Sequence, residues 1–139
     1  MTAMKRKASG FTLAELMVVI VIIGLLATLV VPNVVRKLFK ATRTAAESNI
    51  STLASACEEY AVENNGRYPE SLEALVTPDE NGHTFLNRET VPKDPWGNEF
   101  VYEPPSGGRK VNITSYGKDG VPGGEGDDAD ITWEAMRNK

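Results

Sequence analysis

The chain has 139 residues, a formal net charge of −4, one cysteine and one histidine. This length allows one compact domain beside a membrane segment, with only a modest core. The lone Cys57 excludes an internal disulfide, and its helical spacing with apolar neighbours predicts a buried side chain. An acidic chain is poorly suited to nucleic acid as its main partner. His83 lies in a polar stretch without a nucleophile motif beside it, so we expect no enzyme.

The N-terminal region combines a basic stretch, Lys5–Lys7, with a long apolar segment. The 20 residues from Leu16 to Val35 carry no charge, and a helix rising about 1.5 Å per residue would span a hydrocarbon core of roughly 30 Å. A cleaved signal peptide fits poorly, because the apolar run is long and no Ala-x-Ala-like site follows it. A plain membrane anchor explains the length but leaves Gly10 and Glu15 unexplained.

Glu15 and Pro32 are the two unusual residues of this segment. Thr12 to Glu15 has the spacing of a capping box, and a carboxylate in the first helical turn suits the helix dipole. Pro32 removes one helical hydrogen bond, so we expect a kink or a local loosening of the helix. The hydroxyl of Thr28 is expected to satisfy part of the bonding that is lost.

Helical signals continue beyond this proline. Residues 33–65 contain no proline or glycine and carry apolar residues at helical spacing, and Gly66 is suited to end the helix. We therefore predict one helix from about Phe11 to Asn65. Its Ala/Ser/Thr-rich part, residues 41–56, is either a close-packing surface or a solvated face, and the sequence does not decide between them.

The C-terminal half alternates turns with short elements. Residues 70–76 are predicted to form a short helix, and residues 99–102 and 111–116 alternate as the strands of an antiparallel hairpin. Trp96 is expected to close the edge of the core. The predicted fold class is α+β, with a long N-terminal helix packed on a small antiparallel sheet.

The N-terminal residues resemble the class III leader of type IV pilins and of the pseudopilins of type II secretion. The resemblance rests on the basic stretch, the segment Gly10–Glu15 and the apolar helix that follows. It implies that a prepilin peptidase cuts between Gly10 and Phe11, methylates the new N-terminus and lowers the formal net charge to −7. It also implies that Glu15 and Pro32 act in assembly, with Glu15 pairing with the terminal amine of a neighbouring subunit.

The C-terminal part is similar to the major pseudopilins of type II secretion. The shared segments are Pro92–Asn98, Ser115–Gly120 and Gly123–Ile131, although the stretch before Leu72 is shorter than in many relatives. The resemblance implies a leader over residues 1–10, a transmembrane and assembly helix over 11–35, and a periplasmic pilin-like domain over 36–139.

The function that follows from this resemblance is structural. Many copies are expected to assemble in the inner membrane into a short periplasmic filament, with minor pseudopilins and the inner-membrane secretion platform as partners. That filament would help to drive folded proteins across the outer membrane. The alternative is a type IV pilin subunit for adhesion, motility or DNA uptake. Such pilins commonly close the C-terminal loop with a cysteine pair, which is absent here.

The segment from Asp119 to Asp130 concentrates five carboxylates among four glycines. The carboxylates would repel one another unless solvent or a cation relieved them, and six to eight oxygens at about 2.3–2.6 Å are what calcium takes. The residues alone leave a calcium site and a flexible acidic loop equally open. Resemblance to the calcium-binding loop of major pseudopilins implies a calcium site whose ligands come from these residues: Asp119, one or both of Asp127 and Asp128, and main-chain carbonyls of Tyr116 and Gly124. Glu125 and Asp130 are expected either to support the ligands without touching the metal or to act in caps.

Overall fold

The structure is a computed structural model that describes residues 10–138, so the basic stretch and most of the predicted leader lie outside the described residues. Its elements follow this order: α1 (Leu13–Glu63), a 3₁₀ turn (Leu72–Leu75), β1 (Val101–Glu103), β2 (Asn112–Ser115), a 3₁₀ turn (Gly126–Asp128), β3 (Ile131–Thr132) and α2 (Trp133–Arg137). The chain divides into two compact units, the first ending at Leu38 and the second beginning at Phe39. This division falls three residues beyond the predicted end of the membrane segment.

The predicted single long helix is confirmed as α1. It ends where Asn65 and Gly66 adopt positive φ angles of 58° and 82°. The Gly66 amide donates to the carbonyl of Ala61 at 2.7 Å, which satisfies one of the carbonyls left free at a helix end. The predicted role of Gly66 as the terminating glycine is therefore also confirmed.

The part of α1 in the first unit is apolar on every side. Its large hydrophobic side chains are exposed, and its most apolar window has a mean hydropathy of 2.8. A helix that is hydrophobic all round requires lipid or other helices to cover it. By length and composition this part of α1 is a candidate membrane anchor.

Pro32 does not interrupt α1, which passes through it as one helical element. The prediction for Thr28 is wrong: its hydroxyl donates to the carbonyl of Leu25 at 2.7 Å and not to the group that the proline leaves free. A threonine hydroxyl in a helix reaches the carbonyl of the preceding turn, so this geometry is the ordinary one. One turn further along, Arg36 Nε donates to the carbonyl of Pro32 at 3.3 Å.

The core of the second unit lies between one face of α1 and the segments that follow it. Small residues on that face, including Ala46 and Ala54, allow close approach to larger buried residues such as Leu75 and Ile113. Residues 41–56 are thus a packing surface on this face and remain exposed on the other, so both interpretations hold in part. Cys57 is fully buried as predicted, and burial raises the pKa of its thiol to about 12, which keeps it protonated.

The predicted hairpin is confirmed as β1 and β2, which pair antiparallel with Val101 opposite Thr114. The sheet has a third strand, β3, which pairs with β2 and places Ile131 opposite Ser115. Sequence analysis missed β3 and α2 because each is too short to show a period. The predicted helix over 70–76 is a shorter 3₁₀ turn. Trp96 is half-buried and packs against the core, as expected.

Candidate processing site and candidate metal-binding loop

The start of α1 is a capping box. The Thr12 amide donates to Glu15 Oε2 at 2.8 Å, and the Glu15 amide donates to Thr12 Oγ1 at 3.2 Å. This reciprocal pair satisfies two of the amides that a helix start leaves free, which confirms the local interpretation of Glu15. The carboxylate therefore has a partner within its own chain.

Gly10 and Phe11 lie before the first helical residue, and both are exposed. A side chain added at Gly10 would meet no heavy atom within 4 Å. Residues 10–138 therefore give no packing reason for a glycine at this position. Glu15 and Pro32, the two predicted assembly residues, lie several turns apart along α1 and do not meet.

The C-terminal loop closes tightly on itself. A Cβ built on Gly124 would lie 2.5 Å from the carbonyl oxygen of Asp128, and one on Gly117 would lie 2.6 Å from that of Asp127. The Lys118 amide donates to the Asp127 carbonyl at 2.9 Å, which holds the two ends of the loop together. The structure thus brings the root of the loop next to Asp127 and Asp128, two of the predicted ligands.

The carboxylates of the loop differ in their partners. Asp130 accepts from the Gly123 amide through both oxygens, at 3.0 and 3.1 Å, a bond that crosses the loop and caps no helix. Glu125 lies at the N-cap of the 3₁₀ turn Gly126–Asp128, but its side chain makes no capping hydrogen bond, so the cap predicted there is wrong. Asp119 is exposed, and its Oδ1 accepts from the Val121 amide at 3.2 Å. Asp127 and Asp128 are half-buried, and within residues 10–138 their side chains accept no hydrogen bond. Their oxygens therefore remain available to a cation.

The donor set limits the kind of metal that this loop could hold. Among residues 10–138, no three Asp, Glu, His or Cys side chains form a group able to bind a metal ion. A cation there would need main-chain carbonyls and water in addition to carboxylates, and the predicted Tyr116 and Gly124 contributions are of that kind. An all-oxygen set of this type suits calcium and not metals that prefer thiolate or imidazole ligands.

Basic side chains line the same cavity as the acidic end of the loop. This cavity, of about 650 Å³, is bordered by Lys40 and Arg43 of α1, by Lys118, and by residues 126–129. Positive charges that border the same cavity as Asp127 and Asp128 oppose the mutual repulsion of these carboxylates. Sequence analysis did not identify this basic group, because Lys40 and the loop are far apart in the sequence.

Two features define a pilin-like protein. The helix has an apolar first part that begins with a capping carboxylate, and its second part packs against a small antiparallel sheet. The chain belongs to the type II secretion system (T2SS) protein G family, whose model matches residues 33–134. The prokaryotic N-terminal methylation motif matches residues 5–31.

Individual relatives and a solved structure agree with this assignment. The chain is 42% identical over 134 residues to type II secretion system core protein G of Vibrio cholerae, covering 91% of each chain. It is 39% identical over 142 residues to the Pseudomonas aeruginosa protein of the same name, covering 94% of this chain and 98% of that one. The crystal structure of the major pseudopilin from the type 2 secretion system of enterohaemorrhagic Escherichia coli matches with a TM-score of 0.58 and 32% identity. That match covers 76% of this chain and 97% of the solved one.

These matches confirm the α+β pilin-like fold and the resemblance to major pseudopilins. They place the chain among structural subunits of a secretion system and not among enzymes. The alternative of an adhesive or DNA-uptake type IV pilin is not favoured.

Proposed function

We propose that many copies of this chain assemble into a short filament that starts in the inner membrane and helps to move folded proteins across the outer membrane. The observation that carries the proposal is the exposed, uncharged surface of α1 from Leu16 to Val35, with one carboxylate at its start. Lipid covers this surface in the single-pass anchored chain, and helices of other copies cover it in the filament. The domain after the anchor lies in the periplasm.

Glu15 would serve both the helix start and the contact between copies. A cut after Gly10 leaves the Thr12 amide intact, so the capping box survives processing. The cap uses Glu15 Oε2, and the other oxygen can accept from the terminal amine of Phe11 on a neighbouring copy. A charged side chain within a bilayer costs about 2.5 kcal/mol or more at a helix centre and less near its end, so this pairing would offset a real penalty.

Processing by a prepilin peptidase is tested on the protein extracted from membranes. Mass spectrometry should show an N-methylated Phe11 at the N-terminus. Gly10→Ala should be cut poorly and larger residues not at all, whereas Gly24→Ala should be cut normally, since a Cβ at either glycine meets open space within the chain. A chain that still begins at Met1 in secreting cells would contradict the proposal.

Glu15→Gln separates the cap from the assembly role. Glutamine keeps the capping-box geometry but removes the charge that would pair with an amine. We expect a stably inserted, correctly cut protein that forms few filaments, as counted by electron microscopy of membranes that overexpress it. Thr12→Ala is the matched variant, because it removes half of the cap and leaves the carboxylate. Normal filament formation by Glu15→Gln would leave only the capping role.

We also propose that calcium orders the C-terminal loop, with oxygens from Asp119, from Asp127 or Asp128, and from the carbonyls of Tyr116 and Gly124. Support comes from the tight closure of the loop and from the available oxygens of its half-buried carboxylates. When bound, calcium would supply positive charge that holds the two ends of the loop together. The chain's own contribution is the closure itself, which limits the cost of ordering the ligands.

Calcium should raise the melting temperature of the full chain in detergent, followed by the fluorescence of its two tryptophans. At a hundredfold excess over Kd, binding to the folded state alone adds about 2.7 kcal/mol, which corresponds to roughly 10 °C for a domain of this size. Magnesium should do far less, because it requires tighter octahedral geometry. Asp119→Ala should abolish the shift, whereas Glu125→Ala should reduce it less. Identical melting in calcium and in chelator would contradict the proposal.

A further inference from the structure

Asp94 is a buried carboxylate with three hydrogen bonds. It is 4% exposed, and its Oδ1 accepts from the main-chain amides of Trp96 at 3.1 Å and Asn98 at 2.8 Å. Its Oδ2 accepts from the hydroxyl of Ser115 at 2.7 Å. The segment Pro92–Asn98, called here the clamp turn, is thus closed around one carboxylate and tied to the end of β2.

The same turn also holds Gly117, which lies at the start of the C-terminal loop. Gly117 packs against Asp127 and Asp128 at the other end of that loop. Asn98 Nδ2 donates to the Gly117 carbonyl at 2.8 Å. The Gly117 amide donates to Ser115 Oγ at 3.3 Å, and this hydroxyl is already bound to Asp94. Both main-chain polar groups of Gly117 are therefore held by a network that begins in the clamp turn.

Gly117 in turn sets the position of the predicted ligands. It follows Tyr116 directly, lies two residues before Asp119, and touches the main chain of Asp127 and Asp128 so closely that a Cβ would overlap them. A Cβ on Gly120 would also come within 3.1 Å of Asn98 Oδ1, which places the amide of Asn98 against a second residue of the loop. Displacing Gly117 would separate ligands on the two sides of the loop.

We propose that the clamp turn positions the calcium loop, with Asp94 holding the turn and Asn98 holding Gly117. This inference rests on the proposed calcium site. Groups that orient metal ligands without touching the metal commonly change affinity by about 10–100-fold when they are removed. Because coupling between two sites is reciprocal, calcium bound in the loop must stabilise the clamp turn in the same measure.

The test measures the calcium affinity of the full chain in detergent by isothermal titration calorimetry. The temperature is one at which circular dichroism shows that each variant is folded. Asn98→Ala removes the side-chain donor to the Gly117 carbonyl but keeps the main-chain amide at position 98, which donates to Asp94. We expect its calcium Kd to rise about tenfold or more. Asn81→Ala is the matched control, because Asn81 is an exposed turn residue whose main chain and side chain both bond Asp79, which lies outside the clamp turn and the C-terminal loop. Its Kd should equal that of the unmodified chain.

Hydrogen exchange gives a second measurement, whose dependence on calcium would not change if the clamp turn had a purely structural role. In the unmodified chain, calcium should slow exchange of the Trp96 and Asn98 amides, and this slowing should be much smaller in Asn98→Ala. Calcium binding with an unchanged Kd in Asn98→Ala, or without protection of these amides, would overturn the inference and leave the calcium site standing. No heat of binding in the unmodified chain would overturn the calcium site and the inference together.

Discussion

Alanine at Gly124 should destabilise the second unit and abolish calcium binding. Alanine at the adjacent Gly123 should destabilise the unit less and should not abolish calcium binding. Both glycines have positive φ angles, 84° at Gly124 and 101° at Gly123. Alanine in the left-handed region costs roughly 1–2 kcal/mol at either position. Only the Cβ at position 124 overlaps another residue, at 2.5 Å from the Asp128 carbonyl oxygen, whereas position 123 is open.

The two variants therefore share the backbone cost and differ in the overlap. Crowding a packed site costs about a further 1–3 kcal/mol, so Gly124→Ala should lose roughly twice the free energy of unfolding lost by Gly123→Ala. Urea denaturation of the full chain in detergent, with chelator present, measures this difference. Calorimetry with calcium then shows whether the loop still binds. Equal losses at the two positions would mean that the loop does not close against Asp128.

Alanine at Asp94 should be among the most destabilising substitutions of a polar residue. It leaves the amides of Trp96 and Asn98 and the hydroxyl of Ser115 without their acceptor in a buried site. A hydrogen bond to a charged group contributes about 1.5–3 kcal/mol, and the three bonds are not additive, so a loss of about 3 kcal/mol is a conservative expectation. For a domain of this size, that loss lowers the melting temperature by more than roughly 10 °C.

Asp79→Ala is the matched control for this variant. Asp79 Oδ1 also accepts from two main-chain amides, those of Asn81 and His83, both at 2.8 Å, but this side chain is exposed. Water can replace the lost acceptor there, so the loss should be clearly smaller. Thermal melting of both variants without calcium makes the comparison. Similar losses for the two aspartates would show that burial of Asp94 adds nothing.

The parts of the fold that were predicted correctly are those with a local cause. The period of α1, its termination at Gly66 and the alternation of β1 and β2 all follow from residues within a few positions of one another. The capping box at Glu15 belongs to this group, since its two partners are three residues apart. The resemblance added the processing and assembly roles, which remain proposals because they concern other molecules.

Tertiary structure decided the remaining features. β3 exists because Ile131 pairs with β2, and two residues carry no period of their own. The expected calcium ligands follow from the resemblance, whereas the fold brings Gly117, next to Tyr116, against the main chain of Asp127 and Asp128.

The sequence by itself determined a long helix with an apolar first part, a hairpin and an acidic glycine-rich loop, because each depends on the order of nearby residues. Only the tertiary structure showed that the clamp turn holds the root of that loop. Asn98 reaches Gly117 across 19 residues and Ser115 reaches Asp94 across 21. Such contacts depend on how the chain closes in space, and no local pattern of charge, hydrophobicity or turn residues specifies them.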